Sequence, residues 1–249
     1  MRPLTFSCVL LMTITSASAA DVPEPLDVIG SAIKAQGGKE ALTKYQPTKI
    51  QATGTLLVQG KMDYTATFYF GRSPDRFRAE YQLSFGGQTV EMLQVYDGKR
   101  FWMKLGNAAA IDMGENFAGG SRDYLQVLAA AQLVPLLDKE KFSLSPAGEF
   151  EVNEKKTIGV NVSNKTGLTA KFCFDPETHL IVRKDYGSKN PITGKDVLVE
   201  YFPSDYRKIK DVLLPMKWEG KFDGKKIMTA SYESVEFDKV DDSLFKKPE

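Results

Sequence analysis

From residue 50 onward, apolar and polar side chains alternate with a period of two. Ile50, Ala52, Leu56 and Val58 stand opposite Gln51, Thr53 and Thr55, with Leu57 as a misfit. Met62, Tyr64, Ala66, Phe68 and Phe70 share one face. Phe77, Ala79, Tyr81, Leu83 and Phe85 then oppose Arg76, Arg78, Glu80, Gln82 and Ser84. The pattern returns at Ile158/Val160/Val162, Leu168/Ala170/Phe172/Phe174 and Val197/Val199/Tyr201. Successive side chains of a strand point to opposite faces, so this alternation predicts antiparallel strands with one apolar and one wet face. Gln59-Gly60, Gly86-Gly87, Asp97-Gly98 and Asp223-Gly224 separate neighbouring runs. The Asp-Gly pairs accept the positive φ that a type I′ hairpin demands. The count comes to roughly eleven strands.

Two stretches follow the helical period instead. Leu26, Ile29, Ile33 and Leu42 predict helix from about residue 26 to 45, broken into two at Gly37-Gly38. A longer helix is predicted over 121–138, after Gly119-Gly120, with Ser121 as N-cap and Asp123 in the positive first turn. Its body is apolar on nearly every side, from Tyr124 and Leu125 through Leu128 to Leu133 and Leu137. Such a helix must be covered on several sides or itself cover something apolar. Pro135 removes a helical hydrogen bond and should kink or end it.

The N-terminus reads differently. Met1-Arg2-Pro3 precedes an apolar run from Leu4 to Ile14 and then Ala17-Ser18-Ala19. A charged head, an apolar run too short to span a bilayer and a small-residue site predict a secretory leader over 1–20, cut after Ala19 or Ala20. Export to the periplasm follows from that reading. The whole chain carries 33 Lys+Arg and 32 Asp+Glu among its 249 residues. Arg2 is the one charged residue of the leader, so the exported chain is formally neutral. Cys8 leaves with the leader, and Cys173 remains alone without a disulfide partner. A neutral chain lacks the basic face that nucleic acid requires. One histidine and two cysteines leave no Cys/His zinc set, and no cofactor is expected.

No Pro- or Ser-rich linker interrupts the strands, which predicts one domain over 21–249. The fold class is mainly β (α+β): the apolar faces form one large curved surface, with two helical segments to fill or roof it. Phe68, Phe70, Phe77, Tyr81, Leu83, Phe101 and Trp102, with Leu125, Leu128 and Leu133 from the helix, are the candidate lining of the enclosed space.

One block has a counterpart. Phe70-Gly71-Arg72-Ser73-Pro74-Asp75-Arg76-Phe77-Arg78, followed by Tyr96-Asp97-Gly98-Lys99-Arg100-Phe101-Trp102, resembles the pattern of the periplasmic lipoprotein-carrier (LolA/LolB-like) superfamily. Phe172 to Leu180 is similar to its hairpin joining two long strands, and Leu214-Pro215 with the last strand and Phe245 to Pro248 to its closing segment. The resemblance implies a half-open antiparallel β-barrel with a helical lid or plug, holding lipid or lipoprotein acyl chains. It implies a membrane-bound donor or acceptor protein as partner, and it gives Arg78 the role of lid contact. The alternation itself puts Arg78 on the wet face opposite Phe77, and both placements stand. Met103-Lys104-Leu105-Gly106 departs from the aromatic and proline common at that point of the family.

Catalytic motifs are absent: no G-x-S-x-G elbow, P-loop, H-E-x-x-H or C-x-x-C occurs. A triad would need His179, which sits beside the turn Asp175-Pro176-Glu177 and reads as a surface residue. Cys173 lies on a strand between Phe172 and Phe174, with Lys171 as its sole local cation, and reads as structural. The expectation is therefore a binding protein for lipid or lipoprotein acyl chains and not an enzyme. The alternative is a periplasmic scaffold or sensor that binds a protein partner through the same fold, and a hydrolase is the distant third.

Overall fold

The computed structural model describes residues 23–57, 60–71 and 75–249. The leader over 1–20, Gln59 of the first expected turn, and Arg72, Ser73 and Pro74 of the motif block lie outside them. Helix α1 (Pro25–Ala35) and α2 (Lys39–Lys44) come first, broken at Gly37-Gly38 as expected. Both glycines have positive φ. A Cβ on Gly37 would lie 2.1 Å from the Asp211 carbonyl oxygen, and Leu213 N donates to the Gln36 carbonyl beside it. The absent side chain lets the helical hairpin seat against this strand turn.

Six strands follow: β1 (Lys49–Leu56), β2 (Met62–Phe70), β3 (Phe77–Phe85), β4 (Gln88–Tyr96), β5 (Phe101–Leu105) and the two-residue β6 (Ile111–Asp112). Helix α3 (Glu115–Ala130) and a 3-10 turn (Val134–Leu137) lead to β7 (Phe142–Val152), β8 (Lys155–Asn164), β9 (Thr169–Phe174) and β10 (Ile181–Lys189). The chain closes with β11 (Asp196–Ile209), β12 (Val212–Phe222), β13 (Lys225–Glu236) and a 3-10 turn at Asp242–Phe245. The thirteen strands of the described residues join one antiparallel sheet, so the count exceeds the expected eleven. Two strands carry little periodic signal: β6 is very short, and β7 holds Pro146 and a bulge between Pro146 and Gly148.

The strand order is β6-β5-β4-β3-β2-β1-β13-β12-β11-β10-β9-β8-β7. Two meanders are thus stitched together where the first strand meets the last, with Ile50 opposite Val235 and Gly54 opposite Ala230. The sheet stays open, with β6 and β7 as its two edges. Further bulges at Gln51/Ala52, Ile181/Arg183 and Gly220/Lys221 bend it. The result is a half-open β-barrel. Its edge strands are consecutive in sequence, so the segment between them must cross the open side. That segment contains α3, which packs against both β5 and β10 and forms the lid.

Helix α3 starts six residues before the expected Ser121. Gly114, at φ 79°, caps it, and Gly119 and Gly120 lie inside the helix. Packing overrides the glycine signal: Phe117 stacks near Phe101, and Ala118 is buried. Ser121 does not cap; its Oγ donates to the Phe117 carbonyl one turn back. The helix ends at Ala130, before Pro135.

The largest apolar core lies under α1 and the 3-10 turn. Ile29, Ala32, Leu133 and Leu136 meet Val160, Val162, Phe172 and Phe174 there. Each such large side chain contributes about 1.5–3 kcal/mol by leaving water. The outer face of the same strands carries charge, and that charge is paired. Arg183 donates to Asp185 at 2.6 Å and Glu200 at 2.8 Å, and Lys171 reaches Asp185 at 3.0 Å.

Candidate functional site

Beneath α3 the lid and the sheet stand apart. Two adjoining cavities of about 120 and 190 Å³ occupy the gap. Tyr45, Gln46 and Pro47 from the α2–β1 connection, Leu128 and Ala131 from the end of α3, and Tyr206 and Pro215 bound the first. The second extends under β1 to β4 and is walled by Leu56, Tyr64, Phe68, Phe77, Tyr81 and Met228. Phe70, Tyr124, Leu128, Lys184, Trp218 and Tyr232 belong to both walls and mark the junction. An apolar hollow of about 150 Å³ holds a benzene ring. Each cavity therefore suits one ring or a short stretch of acyl chain.

Strand alternation puts these side chains on one face. Phe68 pairs with Ala79, Ala66 with Tyr81, and Phe70 with Phe77 across β2 and β3. On the other meander, Lys184 pairs with Phe172 and Tyr201, and Trp218 with Pro203 and Ala230. Aromatic rings then form a chain of edge and tilted contacts. Tyr81 sits 5.5 Å from Tyr64 and 5.6 Å from Phe68, and Trp218 sits 6.1 Å from Tyr232 and 6.4 Å from Tyr201.

The ten expected lining residues divide three ways. Phe68, Phe70, Phe77, Tyr81 and Leu128 line the cavities. Leu83, Phe101, Leu125 and Leu133 are packed in apolar clusters and line neither cavity. Trp102 is on the opposite face: it pairs with Val95, its Nε1 faces Asp97, and Lys247 of the chain end lies 5.0 Å from its ring. Phe101 and Trp102 are consecutive on a strand, so the pleat admits only one of them to the inner face. Arg78 pairs across the strands with Tyr69 and Val95, donates to Glu80 at 2.6 Å and reaches the Leu244 carbonyl. Its hydrogen bonds thus run to its own strand and to the closing segment of the chain, and among the described residues none runs to α3.

Tyr124, Tyr201, Trp218, Tyr232 and Lys184 complete the site and were not among the expected lining. Lys184 had a readable signal, since it lies two residues before Tyr186 and so shares its face. It is 3% exposed and, among the described residues, is the one charged side chain in either cavity wall. Among the described residues its ammonium has no ion pair or hydrogen bond. It lies 4.5 Å from the Trp218 ring centroid and 5.8 Å from that of Tyr201. Burial pushes its pKa down to about 7. Burial also raises the hydroxyls of Tyr81, Tyr124 and Tyr232, and lifts Tyr201 to about 12, so these rings are neutral near pH 7. Tyr64 donates to the Thr229 carbonyl and Tyr206 to that of Ile181. The buried Nε1 of Trp218 has no hydrogen-bond partner among the described residues.

The residues weighed for chemistry lie elsewhere. His179 is exposed, at φ 59° in its turn. Cys173 is buried, and burial raises its thiol pKa.

No family model matches the chain, and no curated protein is significantly similar to it in sequence. Solved structures do match. A DUF1329 family protein from Desulfovibrio piger superposes with a TM-score of 0.54 at 13% identity, over 90% of this chain and 98% of the other. A LolA superfamily protein from Nitrosomonas europaea gives 0.53 at 7% identity, over 90% and 98%. An outer membrane lipoprotein-sorting protein domain from Vibrio parahaemolyticus gives 0.52 at 8% identity, over 90% and 96%. The open sheet, the lid that joins its two edges and these superpositions together give the chain the fold of the LolA superfamily, the half-open barrel that its Phe70-to-Trp102 block resembles.

Proposed function

We propose that this chain is an exported binding protein that holds lipid or lipoprotein acyl chains between the sheet and α3, and carries them across the periplasm. One observation carries the reading: the inner face and the lid leave unfilled, aromatic-walled space where a folded core would pack closed. Burying an acyl chain gains about 0.8 kcal/mol per CH₂, so this space can retain a chain that water rejects. In this closed form the cavities suit a single chain, and a lipoprotein with several chains requires α3 to lift. Export rests on the leader read over 1–20, and the fold shared with a lipoprotein-sorting domain agrees with a carrier role.

The test is extraction of the protein purified from the exported fraction, followed by mass spectrometry of the organic phase and titration with a fluorescent acyl probe. Bound lipid or saturable probe binding is expected, and Phe77→Asp or Leu128→Asp should abolish the binding. A wild-type protein that yields no lipid and ignores the probe overturns the reading. Pairing of a partner strand at a sheet edge has less support. Edge strand β6 has two residues, and β7 is interrupted by Pro146 and its bulge.

A further inference from the structure

Lys184 and Trp218 wall the junction of the two cavities, and among the described residues the ammonium has no ion-pair or hydrogen-bond partner and the indole N–H no hydrogen-bond partner. We infer that Lys184 and Trp218 form the headgroup site for a single-chain carboxylic acid, its carboxylate buried at the junction and its alkyl tail in the adjoining apolar arm. The inference rests on the lipid-binding reading and names the class of lipid.

Three features of the site support it. Lys184 projects from the apolar face, whereas its neighbours Arg183 and Lys171 point outward and are paired with Asp185 and Glu200. Among the described residues no carboxylate lines either cavity, which leaves the counter-charge to a ligand. An unpaired buried cation is costly, and a carboxylate bound at the junction pairs it beside the unsatisfied indole N–H of Trp218. The flexible lysine stem lets the ammonium follow the head, while the indole N–H is fixed. The cavity sizes set the rest of the ligand: one chain fits, and two do not.

The titratable groups that line the second cavity with Lys184 are Tyr64 on β2, Tyr81 on β3, Tyr124 on α3, Tyr201 on β11 and Tyr232 on β13, beside the Trp218 indole. None is charged near neutral pH, so the ammonium alone decides the electrostatics. Its pKa of about 7 in the empty site means that anion binding must hold the proton there.

The test is calorimetric titration of the full exported chain with decanoate and, separately, with decanol. At pH 7 decanoate should bind about tenfold or more tightly than decanol, as expected for a hydrogen bond to a charged group. Lys184→Met should erase the preference for decanoate over decanol, and Trp218→Phe should reduce that preference severalfold. Wild-type protein provides a check that needs no variant. Decanoate affinity should hold from pH 6 to 7 and then fall by up to about tenfold per pH unit, while decanol stays flat. Equal binding of the two probes, or a flat decanoate profile, overturns the headgroup site and leaves the lipid-binding reading standing. Failure of both probes to bind wild-type protein overturns the two together.

Discussion

The Phe117 ring lies 5.3 Å from that of Phe101, which ties the first turn of α3 to β5. Phe101 in turn lies 6.0 Å from Phe77 on β3, so the lid is anchored through an aromatic chain to the cavity wall. Under the proposed carrier function the lid must open at low cost to release cargo, and this anchor sets part of that cost. Phe117→Ala should destabilise the protein by about 1–3 kcal/mol, because the side chain is half-buried and its pair adds to burial. Hydrogen exchange should locate the effect: amides of 118–130 exchange faster, and those of β8 and β9 stay as in wild type.

Lys184 should make stability depend on pH in a defined direction. Its folded pKa lies below the unfolded value of 10.5, so the unfolded chain holds more protons between about pH 7 and 10.5. Stability therefore rises with pH through this window and is lowest below pH 7, where the buried ammonium is fully charged. The buried tyrosines act oppositely above about pH 10, because their raised folded values let the unfolded state ionise first. Urea melts from pH 6 to 9.5 should show the rise, and Lys184→Met should flatten it and be more stable at pH 7.

Gly54 is held to its identity by the Thr229 carbonyl and Tyr64. A Cβ there would sit 2.1 Å from the Thr229 carbonyl oxygen and 2.6 Å from the Tyr64 hydroxyl, which bond to each other. Gly54→Ala should cost about 2–4 kcal/mol through overpacking and a broken hydrogen bond. A fall in melting temperature would show it, and Tyr64→Ala in the same chain should make the second substitution cheaper.

Cys173 should be inert. Its thiol is buried between strands, and burial raises its pKa, so the reactive thiolate is scarce. Peptide mapping after iodoacetamide should find Cys173 unmodified in native protein and fully modified in urea. Rapid native labelling would contradict the buried placement.

Much of the fold was legible along the chain. The alternation at 62–70 and 76–85 yields β2 and β3 with their inner faces in register, because a two-residue period is a local property of the pleat. Gly37-Gly38 marks a true break for the same kind of local reason. Gly119-Gly120 misleads, since the packing of Phe117 and Ala118 outweighs about 1 kcal/mol of helix propensity per glycine. The site was half legible. Periodicity placed Phe68, Phe70, Phe77, Tyr81 and Leu128 on the inner face, but it could not separate these lining residues from Leu83 and Leu125, which are close-packed. Trp102 needed only the parity of its neighbour Phe101 to be placed outside. Lys184 carried a signal, a charged residue at an inner-face position, that is visible once the strand's parity is taken from Tyr186.

By itself the sequence determined that the chain builds two-faced strands, where its hairpins turn, and which side chains face inward, because each depends on neighbours a few residues away. The tertiary structure alone decided that β1 meets β13 nearly two hundred residues later. That pairing makes β6 and β7 the open edges and sends α3 across the gap. It also decided that Lys184 and Trp218 share a void with the aromatic rings of the first meander. A void exists only where two layers fail to touch, and that depends on the curvature of the whole sheet and the height of the lid, which no local pattern encodes.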